Sequence, residues 1–233
     1  MMEAAIAREK LLDAALAHVA FDGWSETTLK AAAADSGVAP GLAAALFPRG
    51  GVDLALAWHM RGDREMARIL AEEDLAALRF RDRVARAVLL RLEIADREAV
   101  RRGTTLFALP QYSAEGSRAI WGTADAIWTA LGDTSDDLNW YTKRLSLSAV
   151  YAATVLFWLG DDSTGLQATR DFLDRRIENV MQFEKAKAAL ASNPISKALM
   201  GGPLKFLGRI RPPVLPDDLP GQEAKGGKGP RPF

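Results

Sequence analysis

The chain has 233 residues, 48% hydrophobic and 26% charged, which suits one substantial core followed by a tail. Lys and Arg total 30 and Asp and Glu total 30, so a zero formal net charge gives no global reason to expect nucleic acid as a partner. Cysteine is absent, which excludes disulfides, thiolate metal sites and Cys nucleophiles, and with His18 and His59 the only histidines no metal site is expected.

In chain order, Glu3, Arg8, Glu9 and Lys10 interrupt the apolar run that a signal peptide requires, and the fold is expected to begin at residue 3. Residues 3–21 place Ile6, Leu12, Leu16, Val19 and Ala20 on one face, the pattern of an amphipathic helix ended by Gly23. Thr27 or Thr28 is the expected N-cap of an Ala-rich helix stopped by Gly37, and Pro40 opens a short helix carrying Leu42, Ala43, Ala44, Ala45 and Leu46. Long helix, short helix, turn, short helix is a helix-turn-helix layout. A DNA reader needs cationic and polar side chains on that last helix. Between Ser25 and Met60 the cations are only Lys30, Arg49 and a protonated His59, too few for a footprint of several phosphates, so no nucleic acid is expected.

A helix over 52–74 and another over 79–100 follow, the second with interleaved Arg, Glu and Asp that mark a solvated face. His59 reads as a surface or capping histidine without a second ligand. Gly103 and Pro110 are expected to kink the bundle around a short apolar segment. Residues 114–131 carry Trp121 and Trp128 seven apart, which fits either two core tryptophans or two walls of a ligand cavity. The stretch 136–162 then reads as one helix with two unlike parts. From Leu145 to Leu159 the polar side chains are only Ser146, Ser148, Thr154 and Tyr151, so no solvated face is expected, yet the run falls short of the roughly 18 to 20 apolar residues that span a bilayer. Its first turn puts Trp140 among Lys143 and Arg144, while Tyr141, Leu138 and Leu145 point toward the core. A last long helix over 163–191 supplies, with its predecessor, material for a homodimer interface.

Residues 192–211 read as an amphipathic segment in which Leu199, Met200, Leu204, Phe206, Leu207 and Ile210 are the expected membrane contacts and Lys205 and Arg209 the headgroup cations. The same segment also suits folding back on the bundle or clasping a dimer mate. Residues 212–233, rich in Pro, Gly and charge, are expected to be disordered. No phosphate loop, dinucleotide fingerprint or nucleophile-base set survives its context, and the carboxylates at 133, 136, 137, 161 and 162 fall at helix ends where capping explains them. Neither catalytic residues nor a cofactor are expected.

The expectation from the residues is an all-α bundle over 3–191, divided into a vestigial helix-turn-helix (3–50) and a ligand-binding bundle (51–191). Residues 23–47 resemble the N-terminal domain of TetR-type regulators in layout, without their DNA surface. The motifs Leu138-Asn139-Trp140-Tyr141-Thr142-Lys143-Arg144, Gly160-Asp161-Asp162-Ser163 and Phe172-Leu173-Asp174-Arg175-Arg176-Ile177 resemble the ubiquinone (coenzyme Q) biosynthesis accessory protein family. That resemblance implies a TetR-like fold without catalysis, a hydrophobic cavity for isoprenoid quinone intermediates or other lipids, and a membrane-docking final helix on the cytoplasmic face of the inner membrane. It also implies presentation of the intermediate to a ring hydroxylase through Trp140, Tyr141 and Arg144. Trp121, Trp128, Phe157 and Trp158 are proposed as lipid-binding from their apolarity alone. Gly201-Gly202-Pro203 departs from the family by breaking the terminal amphipathic segment. The alternatives are a TetR-type regulator sensing a hydrophobic ligand and an enzyme with a carboxylate site.

Overall fold

The computed structural model describes residues 2–135 and 138–192, and among them every regular element is helical. Helix α1 (Met2–Asp22) buries Leu11, Leu12, Ala15 and Val19 and ends where Gly23, at φ +64°, donates its N–H to the Val19 carbonyl at 2.9 Å. The N-cap of α2 (Glu26–Ser36) is Ser25, not Thr27 or Thr28: Ser25 Oγ accepts from the Thr28 N–H at 3.2 Å. Thr28 is instead buried and donates its hydroxyl back to the Gly23 carbonyl at 2.6 Å, which locks the turn between α1 and α2. Pro40 stands at the start of α3 (Pro40–Leu46), whose Ala43 packs with Phe47 into the N-terminal core.

Helix α4 (Gly51–Glu72) links two cores. Its first half packs with α1, α2 and α3 around Leu54, Ala55 and Ala57, and its second half turns Met66 and Leu70 into the bundle beyond. At its first residue the backbone approaches the Trp24 carbonyl so closely that only Gly51 fits, since any Cβ would overlap it. The expected single helix over 79–100 is in fact two, α5 (Phe80–Glu93) and α6 (Arg97–Phe107). Asp96 makes the break by capping α6, its Oδ1 accepting from the Ala99 N–H at 2.7 Å. A 3₁₀ turn at Pro110–Tyr112 leads into α7 (Ser113–Ala130), then α8 (Leu138–Trp158) and α9 (Gln167–Ser192).

The larger core joins α4, α5, α7, α8 and α9 through Val88, Leu90, Ile127, Leu147, Val150 and Leu173. The expectation that α8 lacks a solvated face is corrected here. It packs between α7 and α9, which cover one side, and leaves Leu145 at 64% and Leu156 at 62% exposure. Leu138 is likewise exposed rather than core-facing. Among the described residues no helix is long and apolar enough to cross a membrane. The segment expected at 192–211 and the tail at 212–233 lie outside the described residues but for Ser192, and with them all eight expected membrane contacts.

Candidate functional site

A cavity of about 460 Å³ lies where the two cores meet, a size suited to a small-molecule or lipid ligand. Trp24 and Trp58 form one wall, tilted with ring centroids 5.4 Å apart, and the indole N–H of Trp24 is fixed by donating to the Ala99 carbonyl at 2.9 Å. Phe107, Ile120, Val155 and Leu156 supply the remaining large apolar surface, and Ala55, Ala99, Gly103, Gly116 and Ala152 keep the space open by their small size. Gly116 also permits α7 to meet α6, because a Cβ there would lie 2.7 Å from the Cβ of Phe107.

One part of the wall is polar. Arg91, 2% exposed, donates from Nε to Asp63 Oδ1 at 2.8 Å and from an NH₂ group to the His59 carbonyl at 3.0 Å. Thr123 donates to the same Asp63 oxygen at 2.9 Å, and His59 Nε2 lies 2.8 Å from Thr123 Oγ1 and 3.2 Å from the Ala119 carbonyl. His59 is therefore an interior residue rather than the surface histidine expected, and Asp63 stands at the i+4 position where no partner was anticipated. Burial pushes the His59 imidazole below its ordinary range, an effect that nearby Asp63 opposes and Arg91 reinforces. Tyr151, also buried, has its phenol pushed up by the same desolvation. Gly62 allows the guanidinium to lie against the α4 backbone, since a Cβ would sit 2.7 Å from Arg91 Cζ.

None of the four residues proposed as lipid-binding lines this cavity. Trp158 is 3% exposed and packs in the larger core under Arg97. Trp128, also buried there, stacks on Phe80 and lies below Lys143. Phe157 stacks on Phe172 at the surface between α8 and α9. Trp121 lies on another side of α7, 6.0 Å from the Trp140 ring. Helical spacing identified these side chains as apolar but not which helix faces enclose a space. Trp24, Trp58, His59, Arg91 and Tyr151 were the residues missed, and the His59–Asp63 spacing on α4 was the available signal.

The first turns of α8 carry a second cluster. Trp140 and Tyr141 meet edge-to-face at 4.8 Å, both reach Trp121, and the Arg144 guanidinium covers the Trp140 ring at 4.0 Å. Arg144 is 3% exposed and pairs with Asp125 at 2.5 Å and Asp133 at 3.0 Å, while Lys143 reaches Asp133 at 2.7 Å. Burial opposes ionisation of Asp133, but hydrogen bonds from Lys143, Ser135 and Arg144 outweigh it and hold the carboxyl at about 2. Of the three residues expected to touch a partner, Trp140 and Tyr141 are half-buried and Arg144 is enclosed. Its geometry is that of a clamp holding Trp140 against α7.

Comparison with known proteins places these features. Residues 113–184, which run from α7 into α9 and include the Trp140 cluster, match the COQ9 family model. The chain is 29% identical to the human "Ubiquinone biosynthesis protein COQ9, mitochondrial" over 185 residues, covering 76% of this chain and 58% of that one. Over that span this chain is similar to the COQ9 proteins. The Drosophila melanogaster COQ9 protein is 29% identical and the Rattus norvegicus one 30%, each over 76% of this chain and over 56% and 59% of its own length respectively. This chain thus spans less than two thirds of those COQ9 relatives. In fold it is all-helical and TetR-like: it superposes on the TetR transcriptional regulator from Nitrosomonas europaea with a TM-score of 0.59 at 22% identity, covering 73% of this chain and 95% of that one.

Proposed function

We propose that this chain is a non-catalytic lipid-binding accessory protein of ubiquinone biosynthesis, which holds an isoprenoid quinone intermediate or a related lipid and presents it at the membrane to a ring hydroxylase. The observation that carries the reading is the cavity: its wall is apolar over most of its extent, in a chain related to proteins named for ubiquinone biosynthesis. The Trp140–Tyr141–Trp121 cluster, clamped by Arg144, is the docking surface for the hydroxylase, since aromatic anchors dominate interface energetics. The open apolar face of α8 suits a homodimer, and residues 192–211 suit peripheral association with the inner membrane.

The test uses the tryptophans themselves. Trp24 and Trp58 line the cavity, so a farnesylated benzoquinone bound there quenches their fluorescence saturably, and Ala152→Trp, which fills the space, abolishes the saturable part. A purely linear quench in the unmodified chain ends this reading. The regulator alternative has the fold in its favour but lacks a cationic reading helix: α3 consists of Pro, Gly, Leu and Ala alone.

A further inference from the structure

The connection between α4 and α5 breaks the rule that loops are polar. From Leu75 to Phe80 the one polar side chain is Arg79, and although Leu75 packs against the larger core, Ala76, Ala77, Leu78 and Phe80 are exposed. This apolar tip is held in one shape. Arg83 donates from Nε to the Leu78 carbonyl at 2.9 Å and from an NH₂ group to the Ala76 carbonyl at 3.1 Å. The Ala76 N–H donates to Asp74 Oδ1 at 3.0 Å, the Leu78 N–H to the Leu75 carbonyl at 3.1 Å, and the Arg79 carbonyl accepts from the Asp82 and Arg83 N–H groups. Phe80 stacks on Trp128 with ring centroids 5.5 Å apart, which props its other face toward the outside.

Two features say what covers this tip. A backbone that enters a bilayer must have its polar groups satisfied within the protein, and Arg83, Asp74 and the turns of the loop do this for the Leu75, Ala76, Leu78 and Arg79 carbonyls and for the Ala76 and Leu78 N–H groups. Water would serve the same groups in a loop that stayed in solvent. The second feature is position. Arg81 pairs with Glu178 at 2.8 Å and Arg170 with Glu93 at 3.1 Å, so α9 runs antiparallel to α5 and passes the start of α5 on its way to Ser192. Residues 193–211, the stretch suited to a membrane interface, therefore begin at the end of the bundle that carries the tip. Over 73–83 Glu73, Asp74 and Asp82 balance Arg79, Arg81 and Arg83, so the attraction of the loop for lipid is apolar rather than coulombic.

We propose that the α4–α5 loop is a bilayer contact in which Ala77, Leu78 and Phe80 enter the boundary between headgroups and acyl chains of a phospholipid leaflet. Arg79 stays among the headgroups, and Arg83 keeps the loop backbone satisfied below them. With residues 193–211 this makes two contacts at one end of the bundle, which fix the direction the bundle faces where one contact leaves it free to turn. Trp128 joins Phe80 to Lys143 on α8, so the neighbouring Trp140 surface is held close to the lipid. This inference rests on the peripheral-association reading above and adds a second contact, made by residues of the folded bundle.

The chain contains no cysteine, so a single one placed at the tip can be labelled uniquely. The full chain as Ala77→Cys, or as Thr164→Cys with its label exposed beside the start of α9 at the opposite end, carries a nitrobenzoxadiazole fluorophore and is mixed with phosphatidylcholine–phosphatidylglycerol vesicles, with and without lipid brominated high on the acyl chain. The fluorophore at position 77 shifts to the blue and is quenched by the brominated lipid, and the one at position 164 does neither. Leu78→Glu, with an unchanged thermal transition, lowers vesicle affinity about tenfold, and Ala77→Trp raises it, a gain that misfolding does not produce. A tip fluorophore that stays in water while the chain sediments with vesicles, or that shifts on self-association without them, overturns the loop contact and leaves peripheral association in place. An equal response at both positions, or vesicle affinity unchanged in both Leu78→Glu and Ala77→Trp, overturns it in the same way. Failure of the unlabelled native chain to sediment with the vesicles overturns the peripheral-association reading itself.

Discussion

Arg91 concentrates the energetics at the scale of single residues. A buried guanidinium is tolerated because Asp63 and the His59 carbonyl satisfy it, and breaking such a pair from one side leaves an uncompensated charge at a cost of ~3 to 5 kcal/mol. Arg91→Met is therefore expected to lower the denaturation free energy by about that amount, measured by urea unfolding. Gly62→Ala drives a Cβ into the same guanidinium and is expected to cost ~1 to 3 kcal/mol, most of it vanishing in the Arg91→Met background because the obstacle is gone. His59 adds a pH dependence whose sign follows from its lowered pKa. The unfolded imidazole takes up its proton first, so the contribution is complete above about pH 6.5 and is lost as pH falls through the folded value. Unfolding midpoints at pH 5 and pH 7.5 should differ more for the native chain than for His59→Gln.

At the scale of elements, α8 separates two tasks that the sequence had already distinguished, a mixed first turn and an apolar body, but it assigns the surfaces differently. Trp140 was legible as an aromatic among charges. Arg144 was not legible as a buried clamp, because its partners Asp125 and Asp133 come from α7 and from the turn after it, and only packing brings them within reach. Trp140→Lys is expected to leave the helix content unchanged and weaken hydroxylase association, seen by pull-down or calorimetry. Arg144→Met is expected to lower stability as well, by leaving Asp133 without one of its partners. The same logic explains the miscounted helix. Residues 79–100 keep a helical period across 94–96, and the break depends on Asp96 choosing the Ala99 N–H, a local bond that periodicity does not report.

At the scale of the whole molecule, the all-helical bundle and the helix-turn-helix followed from periodicity, glycine stops and cap residues, which are local. The cavity did not. It is enclosed by one residue before α2 and by faces of α4, α5, α6, α7 and α8, and whether a tryptophan faces a space or a neighbour depends on helix placement rather than spacing. Residues 195–211 lie outside the described structure, and their deletion is expected to reduce co-sedimentation with anionic liposomes while the bundle's thermal transition stays in place. The central claim, that the space between the two cores holds a lipid, is tested most directly by a native mass spectrum of the chain purified without detergent. The account predicts one extractable lipid per chain in the native protein and none in Ala152→Trp; a ligand-free native protein, or an adduct equally present in that variant, would contradict it.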